Sequence, residues 1–297
     1  MRRLFFLLLR LTGVPCVLRE LVQRNKVAVL CYHDPDPTVF ERHLRFLQRR
    51  YSIISLKRYV DALTAQDQHP PLPPKSLVIT IDDGHRGNHA LRDVVQRMRV
   101  PVTVFLCSAI VGTRRHFWWL HSPRKDANSY KQLVRRCLHE SDAQRLELLA
   151  GTGFDETKEY SDAHALTSQQ ILELKDLVDF QSHGRLHPVL PNCSEARCRD
   201  EIFNSRTELR ARFGLDAYAF AYPNGSYTSR ELELVRAAAY RCGLTTDGVS
   251  NTLRTDPFRI ARLGIYDHAD LNELEVKACG LWGSLHKLAG GKLRPYS

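Results

Sequence analysis

The run Leu77-Val78-Ile79-Thr80-Ile81 reads as a buried strand, and two adjacent carboxylates, Asp82 and Asp83, end it just before Gly84. Acids in that place stand at a strand's C-terminal end. Neighbouring side chains in extended structure point to opposite sides, so the two are expected to divide the work, one binding a metal and the other moving a proton. Similar runs near Val27 to Tyr32, Val102 to Leu106, Val178 to Ser182, Ala217 to Ala221, Gly243 to Thr246 and Arg259 to Ile265 alternate with helical patterns. That alternation predicts an α/β fold of about seven parallel strands in a barrel, where chemistry gathers at the strands' C-terminal ends. With 297 residues and 43% apolar content the chain can bury one large core, and no second domain is needed.

A partner for the acids lies beyond the fourth run, in Asp179-Phe180-Gln181-Ser182-His183-Gly184-Arg185-Leu186-His187-Pro188. If the chain turns helically after the strand, His183 and His187 share one face, and Gly184 and Pro188 suit a tight turn. Two imidazoles and one carboxylate make a facial set with coordination positions left open, as catalytic zinc requires; a closed structural site uses four protein ligands. An isolated Asp-Asp-Gly commonly caps a strand, and an isolated His-x-x-x-His is commonly surface or core histidine, so it is their joint occurrence that points to a site. A third element, Tyr218-Ala219-Phe220-Ala221-Tyr222-Pro223-Asn224-Gly225, sets Pro223 and Gly225 in an irregular turn able to aim backbone amides at an oxyanion.

These blocks, with Val29-Leu30-Cys31-Tyr32-His33, the helical pattern from Phe40 to Leu47 and Val100-Pro101-Val102-Thr103-Val104-Phe105-Leu106, occur in an order that resembles the polysaccharide deacetylase family. The likeness is to the nodulation-deacetylase homology group of carbohydrate esterase family four, and it spans most of the chain. It implies a distorted, incomplete (β/α) barrel that leaves an open groove for a glycan. It also implies roles: Asp83, His183 and His187 hold a divalent metal, usually zinc, and Asp82 is the general base that takes a proton from water. A backbone amide near Tyr222, Pro223 and Asn224 would steady the oxyanion while an N-acetyl group leaves as acetate.

The chain departs from that family in two places. Many members carry an arginine at the third block that orients the base, whereas here the positions read Ala221-Tyr222-Pro223-Asn224. Arg259 and Arg262, on the strand-like Phe258 to Leu263, are the substitutes the chain offers, although solvated strand-end charge is an equally ordinary reading of either. The family's acid is a histidine in a late leucine-rich block. Its counterpart here is His268 in Tyr266-Asp267-His268-Ala269-Asp270, where a surface loop histidine is the ordinary reading.

Between 112 and 167 a charged, leucine-spaced stretch reads as a helical insertion in a single domain covering 26–297, with Trp118 and Trp119 available to stack on sugar or to anchor the inserted helices. Residues 1–25 hold an apolar run too short to span a bilayer, and Arg19, Arg24 and Lys26 continue a basic theme. An amphipathic segment lying on an anionic membrane surface is expected, with packing onto the barrel bottom as the alternative. The net charge of +10 fits an anionic partner such as lipid headgroups or a diphosphate-linked sugar, and dispersed basic residues without a recognition motif argue against nucleic acid. Eight cysteines with no Cys-x-x-Cys pair predict reduced, packed thiols and a cytoplasmic protein.

The expected function is that of a metal-dependent hydrolase removing an N-acetyl group from an N-acetylated sugar of a polysaccharide or glycolipid intermediate, at the inner membrane face. The His-His-Asp set suits zinc first, and cobalt, nickel and iron as well. Two rivals are an amide hydrolase with a non-polysaccharide substrate and a non-catalytic glycan binder, the latter disfavoured because a binder has little use for Asp82.

Overall fold

In the computed structural model, which describes residues 2–65, 70–121 and 127–288, every strand is paired in parallel. The strands are β1 (Val27–Tyr32), β2 (Ser52–Ile53), β3 (Ser76–Ile81), β4 (Thr103–Leu106), β5 (Asp179–Ser182), β6 (Ala219–Ala221), β7 (Cys242–Leu244) and β8 (Leu263–Gly264). Seven run in the order β7-β6-β5-β4-β3-β1-β8, and the short β2 adds to β3. All residues of β1 and β3 are buried, because a parallel strand is covered by side chains on one face and helices on the other. Alternation divides them: Val27, Val29, Val78 and Phe105 pack inside the barrel with Leu244 and Ile260, while Leu30, Tyr32, Ile79 and Leu106 pack outward.

Helices fill the outer layer. Asp36 caps Pro37–Gln48 by accepting the Thr38 and Val39 amides, and Pro37 supplies a preset φ at its first turn. Phe40, Leu44 and Leu47 of that helix are wholly buried, each contributing ~1.5–3 kcal/mol. Between β4 and β5 the helices Ala127–His139 and Asp142–Ala150 surround a satellite core of Trp118, Cys137, Leu149 and Phe154.

The barrel is incomplete because β7 and β8 do not pair along their length. Ile260 exchanges backbone hydrogen bonds with the β7 end, donating to Gly243 O (2.9 Å) and accepting from Thr245 N (2.8 Å). Leu263 and Gly264 have by then crossed to Leu30 and Cys31 of β1. The segment 260–264 therefore leans on one neighbour at its start and on the other at its end, which is why β8 is shorter than the run expected from 259 to 265.

The N-terminal helix Arg2–Leu11 lies across the helix Leu271–Ala278, tied by Arg2 to Glu273 (2.6 Å) and by Arg10 to Glu275 (2.7 Å). No helix among the described residues is long and apolar enough to cross a membrane.

Candidate active site

The alternation that turns Val78 into the barrel carries Asp82 to the same side, and the Asp82 amide still pairs with Tyr32 O (2.9 Å). Extended structure stops there. Asp83 has φ +71°, and Gly84 follows at +74° with Leu106 Cδ2 only 2.6 Å from where a Cβ would stand. The two carboxylates consequently do not part to opposite sides as a continuing strand would send them. Both come to one imidazole: His183 Nε2 is 3.7 Å from Asp82 Oδ2 and 3.5 Å from Asp83 Oδ1.

After β5 the chain turns, but not helically: Gly184 (φ +79°) and His187 (φ +58°) are both left-handed. The buried Glu201 carboxylate holds this turn by accepting the Arg185 amide (2.7 Å) and the Leu186 amide (2.9 Å). The rings of His183 and His187 thereby come to 4.7 Å at an interplanar angle of 73°. His187 Nε2 lies 3.4 Å from Asp83 Oδ1. Assigned from its surroundings, His183 Nδ1 donates to Ala221 O (2.8 Å), which leaves the Nε2 lone pair aimed at the carboxylates. Burial pushes His187 down to about 3, so its ring is neutral too.

Asp83 Oδ1 is buried and receives no hydrogen bond. Three ligand atoms thus converge, and with His187 carrying its proton on Nδ1 all three are acceptors, an arrangement that fits a divalent cation; Asp83, His183 and His187 are the residues that would hold it. Burial works against ionising Asp83, yet the hydrogen bond from His85 (3.1 Å to Oδ2) helps to outweigh it and keep the carboxyl well below the usual range.

The neighbouring acid is held by Arg262. This wholly buried side chain grips Asp82 with both arms, Nη1 to Oδ1 at 2.6 Å and Nη2 to Oδ2 at 2.8 Å, while its Nε donates to Thr245 O (3.1 Å). Its guanidinium stands 5.5 Å over the Phe105 ring inside the barrel. Burial would raise Asp82; Arg262 reverses that and holds it at about 2. The Cys31 thiol also donates to Asp82 Oδ2 (3.3 Å). Arg259 takes no part: it is exposed and donates to Tyr227 Oη at 3.2 Å.

At the third block, Tyr222 belongs to the core. Its amide pairs with Leu244 O (3.0 Å) and its hydroxyl with Phe258 O (3.2 Å). Pro223 has no amide hydrogen, so of these three residues Asn224 has donors to give, and its Nδ2 is buried without a partner. The turn is tight: Gly225 has φ +65°, with Thr246 Oγ1 at 1.9 Å from a Cβ position. His268 is exposed in the loop after β8, where its ring neighbours Tyr266 (5.9 Å) and no described contact joins it to Asp82 or Asp83.

Two imidazoles that sequence reasoning did not assign stand closer. His33 follows β1 directly, with a ring nitrogen within 4.8 Å of both Asp82 and Cys31, and burial lowers its pKa. The signal was there, since His33 occupies the same strand-end position as the acids. His85 bonds Asp83. The tryptophans divide: Trp118 is buried and donates Nε1–H to His187 O (3.1 Å), whereas half-buried Trp119 faces the His187 ring at 4.8 Å.

A family model described as polysaccharide deacetylase matches residues 69–243, more than half of the chain. Arg262 and His33 lie outside that stretch. Among solved structures the chain is similar to the Streptococcus pyogenes deacetylase PplD in complex with acetate, with 18% identity, a TM-score of 0.61, and 86% of this chain and 99% of that one covered. It is also similar to IcaB from Ammonifex degensii (16% identity, TM-score 0.62, 87% and 98% covered) and to the BpsB deacetylase domain from Bordetella bronchiseptica (17%, 0.57, 82% and 96%). At such identities these likenesses speak to the fold. No curated protein matches the chain. With the strand order, the paired blocks and the family match in agreement, the chain belongs to the polysaccharide deacetylase family, hydrolases that cleave a carbon–nitrogen bond.

Proposed function

We propose that this protein hydrolyses the N-acetyl amide of an N-acetylated sugar in a polysaccharide or glycolipid intermediate, with zinc on Asp83, His183 and His187. The observation that carries the reading is a buried, donor-free acceptor set beside a base whose two oxygens are both fixed. A divalent ion on that set supplies an electrophile that polarises the amide carbonyl and makes nearby water more acidic. Asp82, kept ionised by Arg262, takes the proton of the attacking water. Asn224 offers donors to the oxyanion. As the carbon–nitrogen bond breaks, the proton gained by Asp82 is the one the amine requires, and His33 is placed to relay it, with His268 as the alternative donor from its loop. The test is acetate release from N-acetylhexosamine oligomers and lipid-linked N-acetyl sugars, comparing wild type with Asp82→Asn at matched metal occupancy. Release by wild type alone supports the assignment; none from any substrate at full occupancy moves the reading to another amide.

The N-terminal helix favours work at a membrane. Leu4, Phe5, Leu8 and Leu11 are exposed, as are Val14, Val17 and Leu21 beyond it, at 43–73% of their surface. Ion pairs draw Arg2, Arg10 and Arg19 inward, while Arg3 and Arg24 stay exposed. An exposed apolar face accompanied by exposed cations complements an anionic bilayer, and eight free thiols fit its cytoplasmic side. Sedimentation with phosphatidylglycerol vesicles but not phosphatidylcholine ones, weakened by Leu8→Ser with Leu11→Ser, is the expected result. A stable dimer in light scattering with no vesicle binding would overturn it.

A further inference from the structure

We propose a second divalent-cation site, outside the catalytic groove, made by His116, Asp162 and His164. These residues lie on two irregular segments that meet beside the inserted helices, one following β4 and the other leading toward Ser168–Leu174. Asp162 bridges the imidazoles: His116 Nε2 is 3.3 Å from Oδ1 and His164 Nε2 is 2.8 Å from Oδ2. All three ligand atoms fall within 4.8 Å of one another, and the two rings meet at 4.5 Å. None of the three belongs to the Asp83 set.

A fourth residue prepares the cluster. His116 Nδ1 is 2.9 Å from His121 Nε2, and His116 Nε2–H donates to the Asp162 carbonyl oxygen at 3.1 Å. A cation would take the place of that Nε2 proton, with the ring then held by donating Nδ1–H to His121. Two imidazole nitrogens and a carboxylate oxygen are the ligands of a borderline metal of the zinc class, with a remaining position for water. His116 is buried under the stacked Tyr160 ring (4.1 Å), whereas Asp162 is exposed and His164 half-buried, so the ion has a way in from solvent.

The site would act as a staple. It ties positions 46 residues apart in the sequence, adding to the backbone hydrogen bonds from Tyr160 N to Arg114 O (3.0 Å) and from Gly112 N to Leu166 O (2.7 Å) that join the two segments. The segment it fastens carries Phe117, 4.7 Å from the His85 ring, and the two tryptophans that touch His187. The cation would therefore fix one wall of the catalytic groove without taking part in the chemistry.

The experiment is metal analysis of the full chain after loading with Zn²⁺ and dialysis, with circular dichroism to check folding. Wild type should retain about two ions per chain, and His164→Ala and Asp162→Asn, both on the solvent side of the cluster, about one. Asp83→Asn should also retain about one, and the combination with His164→Ala essentially none. Metal content unchanged by both His164→Ala and Asp162→Asn overturns the proposal, and so does a wild-type content of about one that Asp83→Asn abolishes. If instead Asp83→Asn changes nothing while His164→Ala removes the ion, the second site stands and the catalytic assignment falls.

Discussion

Replacing Arg262 by methionine removes both hydrogen bonds to Asp82 while keeping an apolar stem of similar length. Because both partners are buried, the carboxylate is left in the barrel with the Cys31 thiol, the His33 ring and the His183 edge beside it. Breaking such a pair on one side costs ~3–5 kcal/mol, a fall of roughly 10 °C in Tm for a domain this large. The pKa of Asp82 follows the same logic. In the native protein it stands at about 2, below its ordinary 3.8, so the contribution it makes to stability is present above 3.8 and lost as pH falls through about 2. Without Arg262 the burial effect is unopposed and the carboxyl rises, by ~3–5 pH units where burial is complete. A stability contribution would then be present at low pH and lost as pH rises through the new value.

Acetate release measured from pH 4 to pH 9 should show this directly. Wild type keeps a base that is ionised throughout, so any acid limb above pH 4 belongs to another group; Arg262→Met should acquire a new limb near neutrality and lose ~10²–10⁴-fold in kcat/KM. Arg262→Lys, with charge but no fork, should fall between. The double variant Asp82→Asn with Arg262→Met should melt above Arg262→Met alone, since no charge is left stranded. An Arg262→Met enzyme of unchanged Tm, rate and pH profile would refute the reasoning.

His33→Ala is expected to lower acetate release by ~10²-fold at unchanged metal content while His268→Ala stays near wild type; the reverse pattern would give the proton to the loop histidine. Glu201→Gln should loosen the His183 to His187 turn and weaken zinc binding by ~10–100-fold in a competition titration, with little change in overall fold by circular dichroism. Gly225→Ala puts a methyl group against Thr246 at a left-handed position, so it should cost ~1–3 kcal/mol in thermal unfolding and depress rate with it.

The parallel strands were legible because burial on both faces leaves unbroken apolar runs: β1 has the bounds expected of it, and β3 begins one residue early. Ser52–Ile53 was not, since two residues carry no period. The chemistry-bearing blocks could be read because each follows such a run. What failed was local geometry. Residue identity does not announce that Asp83 and His187 turn left-handed, although Asp before Gly is a hint, so the extended and helical spacings assumed for the two pairs were replaced by turns. Arg259 and Arg262 looked alike because they sit in one short run, and the choice depends on which of them faces inward as the chain passes from β7 to β1. Glu201 sits on a later turn of chain, and only the tertiary structure brings it under the histidine turn.

The segment 260–264 also has a place in time. Synthesis delivers the N-terminal side of a chain first, so β1 through β7 can assemble before Ile260 and Arg262 exist. During that interval the β1 and β7 edges stand open to unintended pairing, and Asp82 lacks its counter-ion in the interior. The same five residues end both exposures at once. Closing of the β1 edge and pairing of Asp82 with Arg262 are thus a single late event, and an arrested or truncated chain lacking that segment leaves Asp82 without its counter-ion.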